Sequence, residues 1–134
     1  MKEGQPKTVL LKDYQVPKYL IDETLLHFDI SSACTVVTAE LTIRRNLEAS
    51  MSNPELVLDG SEMTTRNIWL DGQVLPPNRY AITKSSLTIF DVPGSFVLKT
   101  QVEIKPQDNT ALEGLYKSGD MYCTQCEAQG FRNI

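Results

Sequence analysis

The chain has 134 residues, enough for one ordinary domain that buries roughly two-thirds of the surface its unfolded form exposes, so it needs no staples to fold. Lys and Arg number 13 against 17 Asp and Glu, and a formal net charge of -4 argues against a surface that tracks phosphates or is drawn to a membrane; neither nucleic acid nor membrane is an expected partner. The apolar runs are too short to span a bilayer, and the polar opening from Met1 to Lys7 lacks the core of a signal peptide, so the chain reads as cytoplasmic.

The apolar pattern has period two, carried by β-branched and aromatic residues, which predicts an all-β domain. From Tyr19 to Ile30, Leu20, Leu26, Phe28 and Ile30 share one parity while Glu23, His27 and Asp29 share the other, as in a strand with one wet face. The next run places Val37, Ala39, Leu41 and Ile43 inward and Thr38, Glu40, Thr42 and Arg44 outward. Ser31-Ser32-Ala33 between them predicts a hairpin. Leu56 and Leu58 open a shorter strand that Asp59-Gly60 ends. Ile68-Trp69-Leu70 then meets Gln73-Val74-Leu75 across Asp71-Gly72, the strongest short-range hairpin signal, because both central residues of a type I′ turn need positive φ.

Pro76-Pro77-Asn78 closes that unit, since a proline cannot donate to a ladder. Two more strands follow, Leu87 to Phe90 and Phe96 to Lys105, joined through Val92-Pro93-Gly94. The second turns Phe96, Leu98, Thr100, Val102 and Ile104 inward. Short strands with turn signals between them predict an antiparallel sandwich or saddle-shaped assembly over 1-106. After Pro106 the period is lost, and 107-134 reads as an irregular segment with scattered Leu115, Tyr116, Met121 and Tyr122. A stretch that long is functional or supported by something else, and its end at Phe131-Arg132-Asn133-Ile134 has no terminating signal, which predicts a continuation into a larger protein.

Cys123-Thr124-Gln125-Cys126 has the spacing of a zinc half-site or a redox pair. A tetrahedral site needs four ligands, and the remaining candidates, Cys34 and His27, fall on the early hairpin. Thioredoxin-like chemistry wants the pair at a helix start in a βαβ setting, so reduced, partly buried thiols are the expectation. His27, on a wet strand face, has no convincing nucleophile beside it. The dispersed glycines form no phosphate loop. What remains is the C-terminal segment, where Glu113, Asp120, Gln125, Glu127 and Arg132 sit among apolar side chains, as a binding loop or a solvated turn.

The residues Asn109-Thr110-Ala111-Leu112-Glu113-Gly114-Leu115-Tyr116, then Cys123-Thr124-Gln125-Cys126-Glu127-Ala128 and Gly130-Phe131-Arg132, resemble the segment that leads into the catalytic domain of the bacterial aminopeptidase N family of zinc exopeptidases. Asp13-Tyr14, Pro17, Tyr19, Ile21, Leu25 and Phe28-Asp29 are similar to that family's first strand, and Thr35-Val36-Val37-Thr38-Ala39 to its second. Gln129 stands where the family usually has Glu, and Asn133 where a basic residue is common.

The resemblance implies a β-sandwich-like, saddle-shaped N-terminal domain. It implies zinc in a following catalytic domain built on H-E-x-x-H, which this sequence lacks, so the fragment by itself is expected to bind no zinc and to be inactive. It further implies that Glu127 receives the free α-ammonium of a peptide substrate and that Gln125 lines the first side-chain pocket. The expected partners are peptides and the remaining domains of the same chain. The family also suggests a cis peptide between Glu127 and Ala128, with a trans or mobile loop expected where the catalytic domain is missing. Loss of that domain is expected to leave Leu115, Tyr116, Met121, Tyr122 and Phe131 folded back on the β-domain or paired with a second copy. The alternatives are a stand-alone β-sandwich binding module and a small cysteine-based metal or redox domain.

Overall fold

A computed structural model describes residues 8–50 and 52–134. Ten strands follow one another: β1 Tyr19–Ile30, β2 Thr35–Arg45, β3 Leu56–Asp59, β4 Thr64–Leu70, β5 Gln73–Val74, β6 Tyr80–Ile82, β7 Ser86–Ile89, β8 Ser95–Ile104, β9 Gly114–Ser118 and β10 Met121–Gln125. Single 3₁₀ turns at Leu11–Asp13, Pro77–Arg79, Pro106–Asp108 and Gly130–Asn133 are the helical elements among the described residues. No helix of the described chain is long and apolar enough to cross a membrane.

The expected antiparallel all-β architecture is present, in three sheets. The largest has the order β1-β2-β8-β4-β5, a second has β3-β7-β6, and β9 with β10 forms a hairpin of its own. The two central strands decide the packing. Val37, Ala39, Leu41 and Ile43 of β2 lie directly opposite Val102, Thr100, Leu98 and Phe96 of β8, so the inward side chains of both strands share one face. At one end of that face Ile43, Leu98 and Phe96 join Tyr19, Ile68 and Ile89 in a core that β3, β6 and β7 help to cover. At the other end Val37, Val102 and Ile104 pack with Leu115 from β9. Fully burying each such aliphatic side chain contributes about 1.5–3 kcal/mol. Between the two cores, Ala39, Leu41 and Thr100 floor an apolar groove of about 1140 Å³.

The Asp71-Gly72 hairpin is as expected, with φ of +47 and +80 at the two central residues. Asp71 also caps the neighbouring strand, its Oδ1 accepting from the Val97 amide at 2.8 Å. Three expectations are corrected. Leu20 does not share the inward face, because a bulge at Asp22 shifts the β1–β2 register between Ile21 and Glu23; Ile21 opposes Ile43, while Leu20 opposes Arg44. The segment 107–134 is not irregular throughout, since residues 114–125 form the β9–β10 hairpin, turned through Gly119 at φ +60. The stretch after Pro76-Pro77-Asn78 holds a further strand, β6, paired with β7.

The Asp22 bulge is stabilised by charge: both its carboxylate oxygens accept from Arg44 Nε at 2.9 Å. A second irregularity, between Thr65 and Asn67 on β4, leaves Arg66 to bond Glu103 Oε2 through Nη2 at 2.5 Å.

Thr35 is fully buried, and its Oγ1 is the one buried side-chain polar atom among the described residues with no hydrogen-bond partner. A buried hydroxyl without a partner carries its desolvation cost uncompensated. Thr35→Val is therefore expected to leave the fold intact and to raise its stability by about 1 kcal/mol, read from equilibrium urea denaturation. A loss of stability of similar size would show that the hydroxyl is satisfied after all.

Candidate functional site

The residues singled out in the sequence fall into two groups. His27 is exposed on β1, opposite Thr38, and stands apart from the C-terminal segment. Cys34, Cys123 and Cys126 are half-buried free thiols. Among the described residues no three His, Cys, Asp or Glu side chains gather where they could share a metal ion.

The second group is drawn together by the end of the β9–β10 hairpin. Gln125 is the last residue of β10 and lies opposite Gly114, the first residue of β9. The chain then turns through Glu127 to Gln129 into the 3₁₀ turn Gly130–Asn133. Gln125 Oε1 accepts from the Glu127 amide at 3.1 Å, so the two candidate residues form one corner. The peptide between Glu127 and Ala128 is trans, and Ala128 takes φ +59, a left-handed value unusual for a residue with a Cβ. The Glu127 side chain is exposed and makes no ion pair among the described residues. Asp120 sits at the turn of the hairpin, at the opposite end of β10 from this corner.

The other charges near the corner are engaged with one another. Arg132 Nη1 donates to Gln129 Oε1 at 2.6 Å, and its Nη2 lies 3.9 Å from Glu113 Oε2. Asn133 Nδ2 donates to the same Glu113 oxygen at 3.4 Å. Glu127 thus keeps its charge uncompensated while its neighbours hold theirs in exposed pairs of modest strength.

Several positions that carry the corner were given no individual role by the sequence. Asn109 is a side-chain clamp at the foot of β9: its Nδ2 donates to the carbonyls of Glu113 at 2.7 Å and Leu115 at 3.0 Å, and its Oδ1 accepts from the Leu112 amide at 3.2 Å. Those bonds hold a stretch in which Leu112 and Gly114 both have positive φ. Ser61, just past β3, ties the other side: its amide donates to the Arg132 carbonyl at 2.8 Å, and its hydroxyl donates to Asn133 Oδ1.

Of the apolar residues expected to fold back, Leu115 is buried. Met121 and Phe131 stay exposed at 68% and 65%, and Tyr122 at 37%. Phe131 and Arg132 line the 1140 Å³ groove described above, whereas Gln125 and Glu127 lie outside it, on open surface.

No protein-family model matches the chain. Aminopeptidase N of Caulobacter vibrioides is 43% identical over 134 residues, which is all of this chain and 15% of that protein. Aminopeptidase N of Escherichia coli is 38% identical over 130 residues, 97% of this chain and 14% of that protein. Among solved structures, aminopeptidase A of Legionella pneumophila in complex with aspartic acid superimposes with a TM-score of 0.84 at 30% identity, over 92% of this chain and 14% of the other. In sequence and in fold the chain matches the N-terminal domain of M1 aminopeptidases. It spans only about 15% of the length of the curated relatives. A more distant M1 zinc metallopeptidase from Deinococcus radiodurans, a mutant bound to a Tyr-Ser-Ala substrate, shares the fold at a TM-score of 0.68 and 15% identity.

The Asn109 clamp makes a direct prediction. Asn109→Ala removes three hydrogen bonds, of which the one to the Leu115 carbonyl is partly buried, so it should cost about 1–3 kcal/mol. Hydrogen exchange should show protection lost first in β9 and β10, and a variant with unchanged exchange in both strands would contradict the assignment.

Proposed function

We propose that the chain is the N-terminal domain of a zinc-dependent aminopeptidase, and that its own contribution is to hold the leading amine of a peptide substrate. The observation that carries this reading is the Glu127 carboxylate, exposed and without an ion pair among the described residues, on a corner whose backbone is fixed by Gln125. The identity to aminopeptidase N proteins along the whole chain supports it.

The chemistry follows from what an exopeptidase has to measure. It removes one residue from the end of a chain, so it needs a group that recognises the α-ammonium, which an internal peptide bond cannot offer. A carboxylate without a competing cation does this through a charge-assisted hydrogen bond. A peptide closing over the corner would exclude water and strengthen that pairing. Gln125 would spend its carbonyl oxygen on the Glu127 amide and leave its side-chain NH₂ to border the first side-chain pocket. The zinc of such an enzyme supplies Lewis acidity and an activated water. Its ligands would belong to the remaining domains of the chain, which also dock against this one.

Glu127→Ala in the full-length protein should lower kcat/KM for peptide substrates by the equivalent of about 2–5 kcal/mol, the cost of leaving one partner of a desolvated charge pair alone. Zinc content, measured by elemental analysis, should stay at its wild-type value. Kinetics within a few-fold of wild type would remove the anchoring role and leave Glu127 as a solvated turn residue.

A further inference from the structure

Gly130 is buried at the start of the last 3₁₀ turn, and it is seated on the corner. A Cβ placed there would run into the Gln125 carbonyl oxygen, would lie 3.2 Å from the Gln125 carbonyl carbon and would approach the Gly114 amide nitrogen at 3.6 Å. All three atoms are backbone, in the closing pair of the β9–β10 ladder, so none can swing aside as a flexible side chain would. The contact is matched from the other side. Gly114, at φ +74, has no room for a Cβ either, because Asn133 Cβ would be 2.8 Å away and the Asn133 carbonyl oxygen 3.1 Å. Two bare Cα atoms therefore let the 3₁₀ turn lie flat across the mouth of the hairpin. Ser61 fastens that turn from outside through the Arg132 carbonyl and the Asn133 side chain.

We infer that this glycine crossing is a positioning device: Gly130, seated on Gln125 and braced through Ser61, sets where Gln125 ends and where the Glu127 carboxylate points. The inference rests on the reading of Glu127 as the ammonium anchor. Glu127 is reached from both sides, from Gln125 two residues before it and from Gly130 three residues after it. A shift at either end moves the carboxylate. A side chain at 130 forces the 3₁₀ turn and the Gln125 carbonyl apart, and the turn between them, already left-handed at Ala128, has to carry the displacement. Misplacement of a binding group by about 1 Å is enough for losses on the order of 100-fold.

The test uses the full-length protein and two competitive inhibitors, L-leucine and its des-amino analogue 4-methylpentanoate. The ratio of their inhibition constants measures recognition of the ammonium alone and does not depend on the fraction of protein that is folded. The preference of the wild-type protein for leucine should disappear in Glu127→Ala. It should fall roughly tenfold or more in Gly130→Ala, the size expected when a binding group is displaced by a fraction of the about 1 Å that costs 100-fold. If Gly130→Ala gives no folded protein, Ser61→Ala is the second variant; it loosens the brace without touching the corner and should lower the preference several-fold. A wild-type ratio in the folded glycine or serine variant, with the preference lost in Glu127→Ala, overturns the positioning role and leaves the anchor intact. A wild-type ratio in Glu127→Ala overturns both.

Discussion

Everything in this domain hangs on the pairing of β2 with β8. Their inward side chains meet in register, Ile43 with Phe96, Leu41 with Leu98 and Val37 with Val102, and a slip of one residue would turn all of them to solvent. The same two strands feed both cores, so the smaller sheet at one end and the β9–β10 hairpin at the other are attached to a single continuous face. The corner that bears Glu127 is thereby tied to the centre of the domain. Leu115, the residue after Gly114, is packed against Val37, Val102 and Ile104, and Gly114 is the partner of Gln125. A carboxylate on an exposed turn is held by a core several residues away.

The distribution of charge separates paired side chains from one that is left unpaired among the described residues. Asp22 with Arg44 and Arg66 with Glu103 sit at the two register shifts of the large sheet, where a bulge leaves one residue unpaired in the ladder and its side chain is free to find a partner. Arg132, Gln129 and Glu113 likewise satisfy one another beside the corner. Within this arrangement Glu127 stands out because its neighbours are already occupied. Gln129 contributes to that isolation: as a neutral acceptor it engages Arg132 without adding a second carboxylate next to the first.

The features legible in the sequence are those written in neighbouring residues. Asp71-Gly72 marked its hairpin because positive φ is required at both positions, and the alternation of Val37 to Ile43 and of Phe96 to Ile104 marked the central strands together with their inward faces. The pattern failed where one residue was inserted. Leu20 has the parity of Leu26, yet the bulge at Asp22 puts it on the other face, and an insertion of that kind leaves no trace in a period-two count. The three-residue strand β6 is too short to show a period at all. The β9–β10 hairpin did carry a local signal, Gly119-Asp120 between Tyr116 and Tyr122, but Lys117 and Ser118 break the alternation beside it. At the site, Gln125 and Glu127 came from resemblance to a family, and the bond between them is local. The contacts that hold the corner are not: Ser61 reaches Asn133 across 72 positions, and Gly130 meets Gly114 across a hairpin that the sequence had left irregular.

That contrast bears on how a single charge on an exposed turn is held in place. On the proposed reading, recognition of a chain end asks for one charge in a fixed position, and the charge itself is cheap to encode, since a single glutamate suffices. Its position is harder to encode, because Glu127 lies in a turn with no ladder of its own and its side chain is exposed, with no ion pair among the described residues. The chain meets this requirement with backbone. Gln125 fixes the amide of Glu127, the ladder fixes Gln125 against Gly114, and Gly130 closes the turn by contact with main-chain atoms that have few ways to move. Steric contacts of this kind rise steeply in energy over tenths of an ångström, whereas the exposed ion pairs around Arg132 are soft and screened by salt. On the proposed positioning role, the order of the turn at Glu127 comes from the two positions with no side chain, while the carboxylate is left exposed and without an ion pair among the described residues.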